Sequence, residues 1–485
     1  MKVKANQVIH QSTQFQMLNE NQCVQIIEAA YRVLEQCGCN VHQEEARQLL
    51  ADAGCKVDGV RVKIPTHIIQ KAIATVPRQI TLYNQLGEPA VKIGARNGDS
   101  YFMAGLENQY RIDLETGKKR LTTKQDAYES GLVCEALDNI DIVSGLTCVS
   151  DCTPQLADVY EFRMLLESTN KPIVGWQFNG PNLDFQIELA AARVGGMDQL
   201  LDKPFILGGA AASVPLSHSE EAMDKVITFS KYGIPFQYVA ATMMGGTSPV
   251  TLAGSLVQGL CESFVGMVVS QLVRPGAPMI NTIFLDMFDM ATMSFSMSSP
   301  EYSIGAMASA DIYKYLDLPF EVHLGCTDSP IFDQQAAFDI GIQCFSALLS
   351  GSNLVNFAGY LETAMSSSLA VLVFIDEILD YLRTITRGVE VSTESLAEEV
   401  IKSVGPNGNF LAEVHTMQHF RENWAPKTLI RTSYENWQAA GAKDWNERCK
   451  DSVRAILAKG SQVKLNEDVV AQFDEIMAKA EAYYK

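Results

Sequence analysis

Hydrophobic positions along this chain divide it into three zones. From Asn19 to about Leu82, Val24, Ile27, Ala30, Tyr31 and Leu34 recur at helical spacing, whereas Val57 to Ile64 alternates and stops at Pro65. A 3.6-residue stripe predicts an amphipathic helix and a two-residue alternation a short strand. Residues 1–99 are therefore expected to form a mostly helical cap or dimerisation region.

From about Ser100 to Gly388 one theme repeats: a short apolar run that ends in glycine or polar residues, then an amphipathic stretch. Eight such runs occur, at Tyr101–Ala104, Asp141–Leu146, Pro172–Phe178, Phe205–Ala210, Phe236–Ala241, Met279–Phe284, Phe320–Gly325 and Leu354–Gly359. Helical patterns fill the gaps, among them Thr122–Leu137, Leu156–Glu167, Asp184–Val194, Glu220–Lys231, Leu252–Val273, Tyr302–Tyr315 and Ala336–Leu349, and Leu369–Arg387 follows the last run. Eight strands with eight following helices predict an α/β fold of the (β/α)8 barrel type for residues 100–388. A doubly wound sheet shares the alternation but opens on a glycine-rich phosphate turn, and Gly105-Leu106-Glu107-Asn108 is no such turn. Residues 389–485, with Trp424, Trp437 and Trp445 and many charges, read as a helical extension lying on the barrel or on a sister subunit; a homo-oligomer is expected.

Composition narrows the partners. Of 485 residues 47% are hydrophobic and 20% charged, and 57 acids against 38 bases leave a net charge of −19. No basic run is present, so nucleic acid and anionic membrane are both disfavoured. The stretch Met1 to Gln16 is polar, and no apolar stretch is expected to approach a span of about 20 residues, so a cytoplasmic protein is expected. The eleven cysteines are scattered, and neither Cys37/Cys39 nor Cys148/Cys152 has a paired metal spacing.

Barrel enzymes carry their chemistry at the C-terminal ends of the strands. Those ends hold Glu107 and Asn108, then Trp176, Gln177, Phe178 and Asn179, then Thr242 and Met243, then Phe284 and Asp286, then Cys326 and Asp328, and last Asn356, Phe357 and Tyr360. None is a lysine, which disfavours Schiff-base chemistry. No convergent His/Asp/Glu set appears, so no bound metal is expected; His323 and Cys326, three apart on a strand, point to opposite faces. Trp176, Phe178, Phe284, Phe357 and Tyr360 suit a pocket for a quaternary ammonium, although aromatic rings beside barrel strands are more often core. Asp328 is either a partner for a cation or a helix N-cap, and Glu107 either a site acid or an exposed loop acid. Met287, Met290, Met293 and Met297, with Phe284, Phe288 and Phe295, follow the sixth run at near-helical spacing and suit either core filling or an adaptable docking surface.

Specific strings go further. Tyr110 to Gly117 with Leu121-Thr122-Thr123, Met243 to Gly254, Gln271 to Pro278, Thr327-Asp328-Ser329 with Asp333 to Ala336, and Gly359-Tyr360-Leu361-Glu362 resemble, in this order, the trimethylamine methyltransferase superfamily. The resemblance implies a methyltransferase that passes a methyl group to the Co(I) corrinoid (cobalamin) of a separate protein. It also implies the branch without pyrrolysine, whose substrates are quaternary amines. Pro330 stands where many relatives have lysine, and Asn356-Phe357 where glycine-betaine-type members have His-Asp. That favours proline betaine, carnitine or γ-butyrobetaine over glycine betaine. On this reading Asp328 and Glu107 are the catalytic candidates, and Asn108, Trp176, Gln177, Phe178, Thr242, Phe284, Asn356, Phe357 and Tyr360 bind substrate. None of the seven histidines lies in the Asp-x-His-x-x-Gly string with which corrinoid carriers hold cobalt, so the corrinoid is expected on a partner protein. Two alternatives stand beside this: a trimethylamine-type tertiary amine methyltransferase, and a betaine-binding barrel without catalysis.

Overall fold

A computed structural model describes residues 14–96 and 98–485. Seven strands, Tyr101–Ala104, Ile173–Val174, Ile206–Ala211, Phe236–Met244, Met279–Asp289, Phe320–His323 and Leu354–Ala358, form one parallel sheet. The run Asp141–Leu146 makes no regular ladder. It bridges the two edges instead, with Ile142 paired to Met103 and Val143 to Ile173, so all eight runs contribute to one ring. Backbone bonds to both edges fasten it, among them Asp141 N–H to Phe102 O at 2.7 Å and Val174 N–H to Val143 O at 2.9 Å. The run loses strand geometry at Ser144-Gly145-Leu146, where Leu146 takes φ +52° and a Cβ on Gly145 would lie 2.5 Å from Glu161 Oε1.

Helices separate the strands as the periodicity predicts. Those at Gly180–Val194, Glu220–Tyr232, Pro300–Leu316 and Gln334–Leu349 start on Asn179, Ser219, Ser299 and Asp333, each accepting a hydrogen bond from a backbone N–H of the first turn. Such a cap contributes about 1 kcal/mol. The helix Leu252–Val273 corrects one expectation, since its 22 residues are long and apolar enough to span a membrane. Most of that helix is buried; it is wedged between the fifth and sixth strands and the N-terminal helices Glu20–Gln36 and Thr66–Thr75.

The stretch ahead of the barrel also closes its floor. The hairpin Ile80–Tyr83/Pro89–Ile93 places Ile80, Leu82, Val91 and Ile93 against Met103, Ile142, Val174, Leu207, Ile280 and Leu354. These barrel residues lie at or near the starts of their strands, so the hairpin stoppers the N-terminal end. A second hairpin, Tyr110–Ile112/Lys119–Leu121, is pinned by buried Arg111, whose Nη1 bonds Asp126 at 3.0 Å; Asp126 also accepts from Arg120 at 2.7 Å. At the C-terminus, Trp445 packs edge-on against Phe374 of the helix Leu369–Thr386, and Tyr484 donates its hydroxyl to Asn182 at 2.8 Å.

The methionine-rich stretch is not helical. Met279–Asp289 continues beyond the barrel and turns back antiparallel through Ser294–Ser296, pairing Phe288 with Phe295. Strand pairing with Met243 and Met244 extends the sixth strand through Met287, and this long-range ladder outweighs a local helical spacing. Met290 and Met293 sit at the exposed tip.

Candidate active site at the barrel mouth

Inside the barrel the side chains change character from floor to mouth. Above the apolar floor lies a buried polar layer: Asn356 Nδ2 donates to Glu321 Oε1 at 2.9 Å, and His323 Nε2 lies 3.2 Å from the same oxygen. The Gln237 amide, turned with its nitrogen toward Glu321, reaches Oε1 at 2.9 Å. Above this layer come rings. Phe357 contacts Phe284 edge-on at 5.2 Å, Tyr360 at 5.0 Å and the imidazole of His323 at 4.5 Å, and Phe284 contacts Tyr302 at 6.0 Å.

Backbone strain accompanies the rings. Phe357 has φ +89°, a region that costs a bulky residue about 1–3 kcal/mol, and the ladder with the first strand breaks register between Val355 and Ala358. The Asn356 side chain holds this turn by accepting from Phe357 N–H at 2.7 Å. Tyr360 lies flat over Gly105, where a Cβ would meet the ring at 2.5 Å, and Trp176 covers Gly209 in the same way at 2.5 Å. Glycine is needed at both places to let the rings approach the backbone.

Around these rings several buried polar atoms have no hydrogen-bond partner: Glu107 Oε1, Asp286 Oδ1, the Tyr302 hydroxyl and His323 Nδ1. Such orphans are uncommon, because each forfeits the hydration it had in the unfolded chain. Two carboxyl groups here are held in the neutral form. Burial, with Asp328 nearby, pushes Asp286 up to about 8. Burial, with the charges of Glu161 and Asp158, pushes Glu107 well above the usual carboxylate range.

A narrow crevice beside Trp176 is lined by Glu107, Asp158 and Glu161. Burial raises Glu161 to about 8 and Asp158 to about 6. Lys225, on the helix Glu220–Tyr232, stands nearby with Nζ 5.7 Å from the Trp176 ring and 2.7 Å from Gln177 O. Among the described residues no group of three His, Cys, Asp or Glu side chains is arranged to hold a metal ion.

Phe284, Phe357 and Tyr360 thus come together, and Glu107 and Trp176 share the adjoining crevice. Asp328 accepts from Met297 N–H at 2.9 Å and Thr363 Oγ1 at 3.2 Å, and also from Ser296, so it ties the methionine hairpin to the loop after the eighth strand. The N-cap alternative belongs to Asp333. Asn108 donates to Ala364 O and accepts from Tyr110 N–H, Gln177 donates to Gly175 O and Gln186, and Thr242 donates to Phe284 O. Phe178 turns away and packs against the separate cluster of Val149, Ala127 and Ala157. Cys326 Sγ faces Met297 O at 3.5 Å and Gln343 Oε1 at 3.8 Å.

Sequence reasoning missed Asp158, Glu161, Tyr302, Lys225 and the Glu321–His323 pair. The last had a signal, since two polar residues at period two in an apolar strand share one inward face. Asp158 and Glu161, three apart on the helix Ala157–Ser168, read locally as an ordinary solvated stripe.

A family model described as trimethylamine methyltransferase (MTTB) matches residues 1–484. The chain belongs to the trimethylamine methyltransferase family. It is 31% identical over 455 residues to trimethylamine methyltransferase MttB of Desulfitobacterium hafniense (strain DSM 10664 / DCB-2), covering 93% of this chain and 91% of that one. It is 28% identical over 474 residues to a glycine betaine methyltransferase of Desulfitobacterium hafniense (strain Y51), covering 97% and 96%. The monomethylamine methyltransferase of Methanosarcina barkeri has a similar fold, with TM-score 0.53 at 10% identity over 91% of this chain and 88% of that chain. As a family member the chain is a methyltransferase.

Proposed function

We propose that this methyltransferase takes a methyl group from a quaternary amine and delivers it to the Co(I) corrinoid of a separate protein docked at the barrel mouth. The supporting observation is the coincidence, at that mouth, of three packed rings with buried polar atoms that lack partners. A permanent cation cannot shed its charge to enter a pocket, so aromatic faces and neighbouring carboxyl groups must offset its desolvation. Trp176, Phe284, Phe357 and Tyr360 supply the faces, and Asp328 the acid, with Glu107 giving up its buried proton once a cation stands beside it.

Reduced cobalt supplies the nucleophile, and a quaternary nitrogen departs as a neutral amine, so the chain's own task is positioning. A substrate carboxylate is met by the Tyr302 hydroxyl, which has no partner, and by the second Nδ2 hydrogen of Asn356. Asn108 and Gln177, with amides already spent on the fold, act by shaping the loops that carry Glu107 and Trp176. Asn356-Phe357 suits proline betaine, carnitine or γ-butyrobetaine better than glycine betaine. The exposed tip with Met290, Met293 and Phe295 offers the partner an adaptable surface.

One observation favours a second reading. A tertiary amine needs a proton before it can leave, and Asp286, neutral up to about 8, is placed to hold one. Trimethylamine therefore belongs in the decisive experiment: the purified chain, chemically reduced cobalamin and a panel of quaternary and tertiary amines, followed by loss of Co(I) absorbance. Consumption with a quaternary amine is expected. Activity with trimethylamine alone selects the second reading, and an unchanged spectrum with every amine refutes both.

A further inference from the structure

The buried layer beneath the rings holds a donor without an acceptor. Glu321 and His323 stand two apart on the strand Phe320–His323, so both face the barrel interior, and Asn356 on the neighbouring strand is the register partner of His323. The side chains of Glu321 and His323 are 0% and 3% exposed, and His323 Nε2 lies 3.2 Å from Glu321 Oε1. Asn356 Nδ2 donates to the same oxygen, and the turned Gln237 amide to both oxygens of Glu321.

A net charge at this depth is costly unless a partner compensates it, so the acid and the imidazole are neutral as a pair. Because both Glu321 oxygens already accept amide hydrogens, the proton the pair shares lies between Oε1 and Nε2. The second ring hydrogen is then on Nδ1, whichever partner holds the shared one. His323 Nδ1 is thus a buried N–H donor, and it has no hydrogen-bond partner among the described residues. Its aromatic neighbours supply none: the imidazole packs at 4.6 Å against Phe284 and at 4.5 Å against Phe357. Buried donors are seldom left in this state.

The missing acceptor has to arrive with the ligand. The methyl group to be transferred faces the mouth, so the opposite end of the amine points down the barrel toward His323 and Asn356. Asn356 bonds Glu321 with one Nδ2 hydrogen and keeps its second. Two N–H donors on adjacent strands match a carboxylate. Its charge also balances the ammonium, so the bound molecule brings no net charge into the interior.

We infer that His323, through Nδ1–H, joins Asn356 and Tyr302 in binding a carboxylate of the amine, so that the pocket selects quaternary amines carrying an acid group; this rests on the quaternary-amine function proposed above. The experiment follows loss of Co(I) absorbance with the full chain. It uses whichever of proline betaine, carnitine and γ-butyrobetaine is consumed, and the alkyl analogue of that amine, with a methyl group in place of the carboxylate. Wild type should have a KM at least about tenfold lower for the acid than for the analogue. His323→Gln keeps a polar contact with Glu321 but has no donor at the Nδ1 position. It should raise KM for the acid about 10- to 100-fold with kcat unchanged, and leave the KM of the analogue within about twofold. Equal KM for acid and analogue in wild type, a comparison that needs no variant, overturns the inference. So does a His323→Gln variant that alters both amines alike or neither, or consumption of the alkyl analogues and of no acid. In each of these cases the quaternary-amine function stands, whereas an unchanged spectrum with every quaternary amine overturns both.

Discussion

Replacing Glu161 by Gln isolates the cost of keeping a carboxyl group in the crevice beside Trp176. Glu161 lies on the helix Ala157–Ser168, is 8% exposed, and accepts from Gly145 N–H at 2.9 Å. Glutamine keeps that acceptor oxygen but cannot ionise. Burial raises the folded carboxyl from 4.5 to about 8, while in the unfolded chain it titrates near its ordinary value. Below pH 4.5 both states hold the proton, and the native state suffers no penalty. As pH rises the unfolded chain releases its proton while the native state retains it, so stability falls until the native group ionises as well, near 8. Each pH unit costs up to about 1.4 kcal/mol. From pH 6 to pH 8 the variant should therefore gain about 2 kcal/mol on wild type once the nearby acids share part of the shift, or roughly 2 °C in melting temperature for a chain of this size. Urea titrations and scanning calorimetry at pH 5, 6, 7 and 8 measure the difference. A variant whose stability runs parallel to wild type across that range would refute the claim that Glu161 is held neutral by burial.

Trp176→Ala and Tyr360→Ala should raise KM for the true amine about 3- to 30-fold through loss of a cation–π wall worth about 0.5–2 kcal/mol; unchanged steady-state kinetics in both would show that these rings only pack. Arg111→Ala should lower stability by about 1–3 kcal/mol by removing a buried charged hydrogen bond while Arg120 still pairs Asp126, read from chemical denaturation, and an unchanged stability would contradict the buried pairing. Met290→Glu/Met293→Glu should slow methyl transfer to the corrinoid protein by about tenfold while transfer to free cobalamin keeps its rate. Equal slowing with both acceptors would place these methionines in the pocket rather than at a docking surface.

What was legible in the sequence was mostly local. Strand and helix alternate because apolar periodicity is set by the backbone geometry of neighbouring residues, so the run at Phe236–Ala241 and the helix at Leu252–Val273 announce themselves. In a closed parallel barrel the strand ends share one rim, which is why Glu107, Phe284, Phe357 and Tyr360 could be placed at the barrel mouth from their positions in the chain. Other features depend on residues far apart in sequence, and only the tertiary structure decides them. Met287 is a strand residue because Met244 pairs with it, and the hairpin at Ile80–Ile93 is a stopper because the barrel floor presents an apolar face to it. Asn108 is spent on the loop at Ala364, and Phe178 faces a different cluster from Phe357. Asp158 and Glu161 show the division most clearly. Spacing on a helix says which side chains are neighbours, but whether that side meets water or a crevice shared with Glu107 depends on what packs against it, and only burial turns ordinary acids into groups that keep their protons.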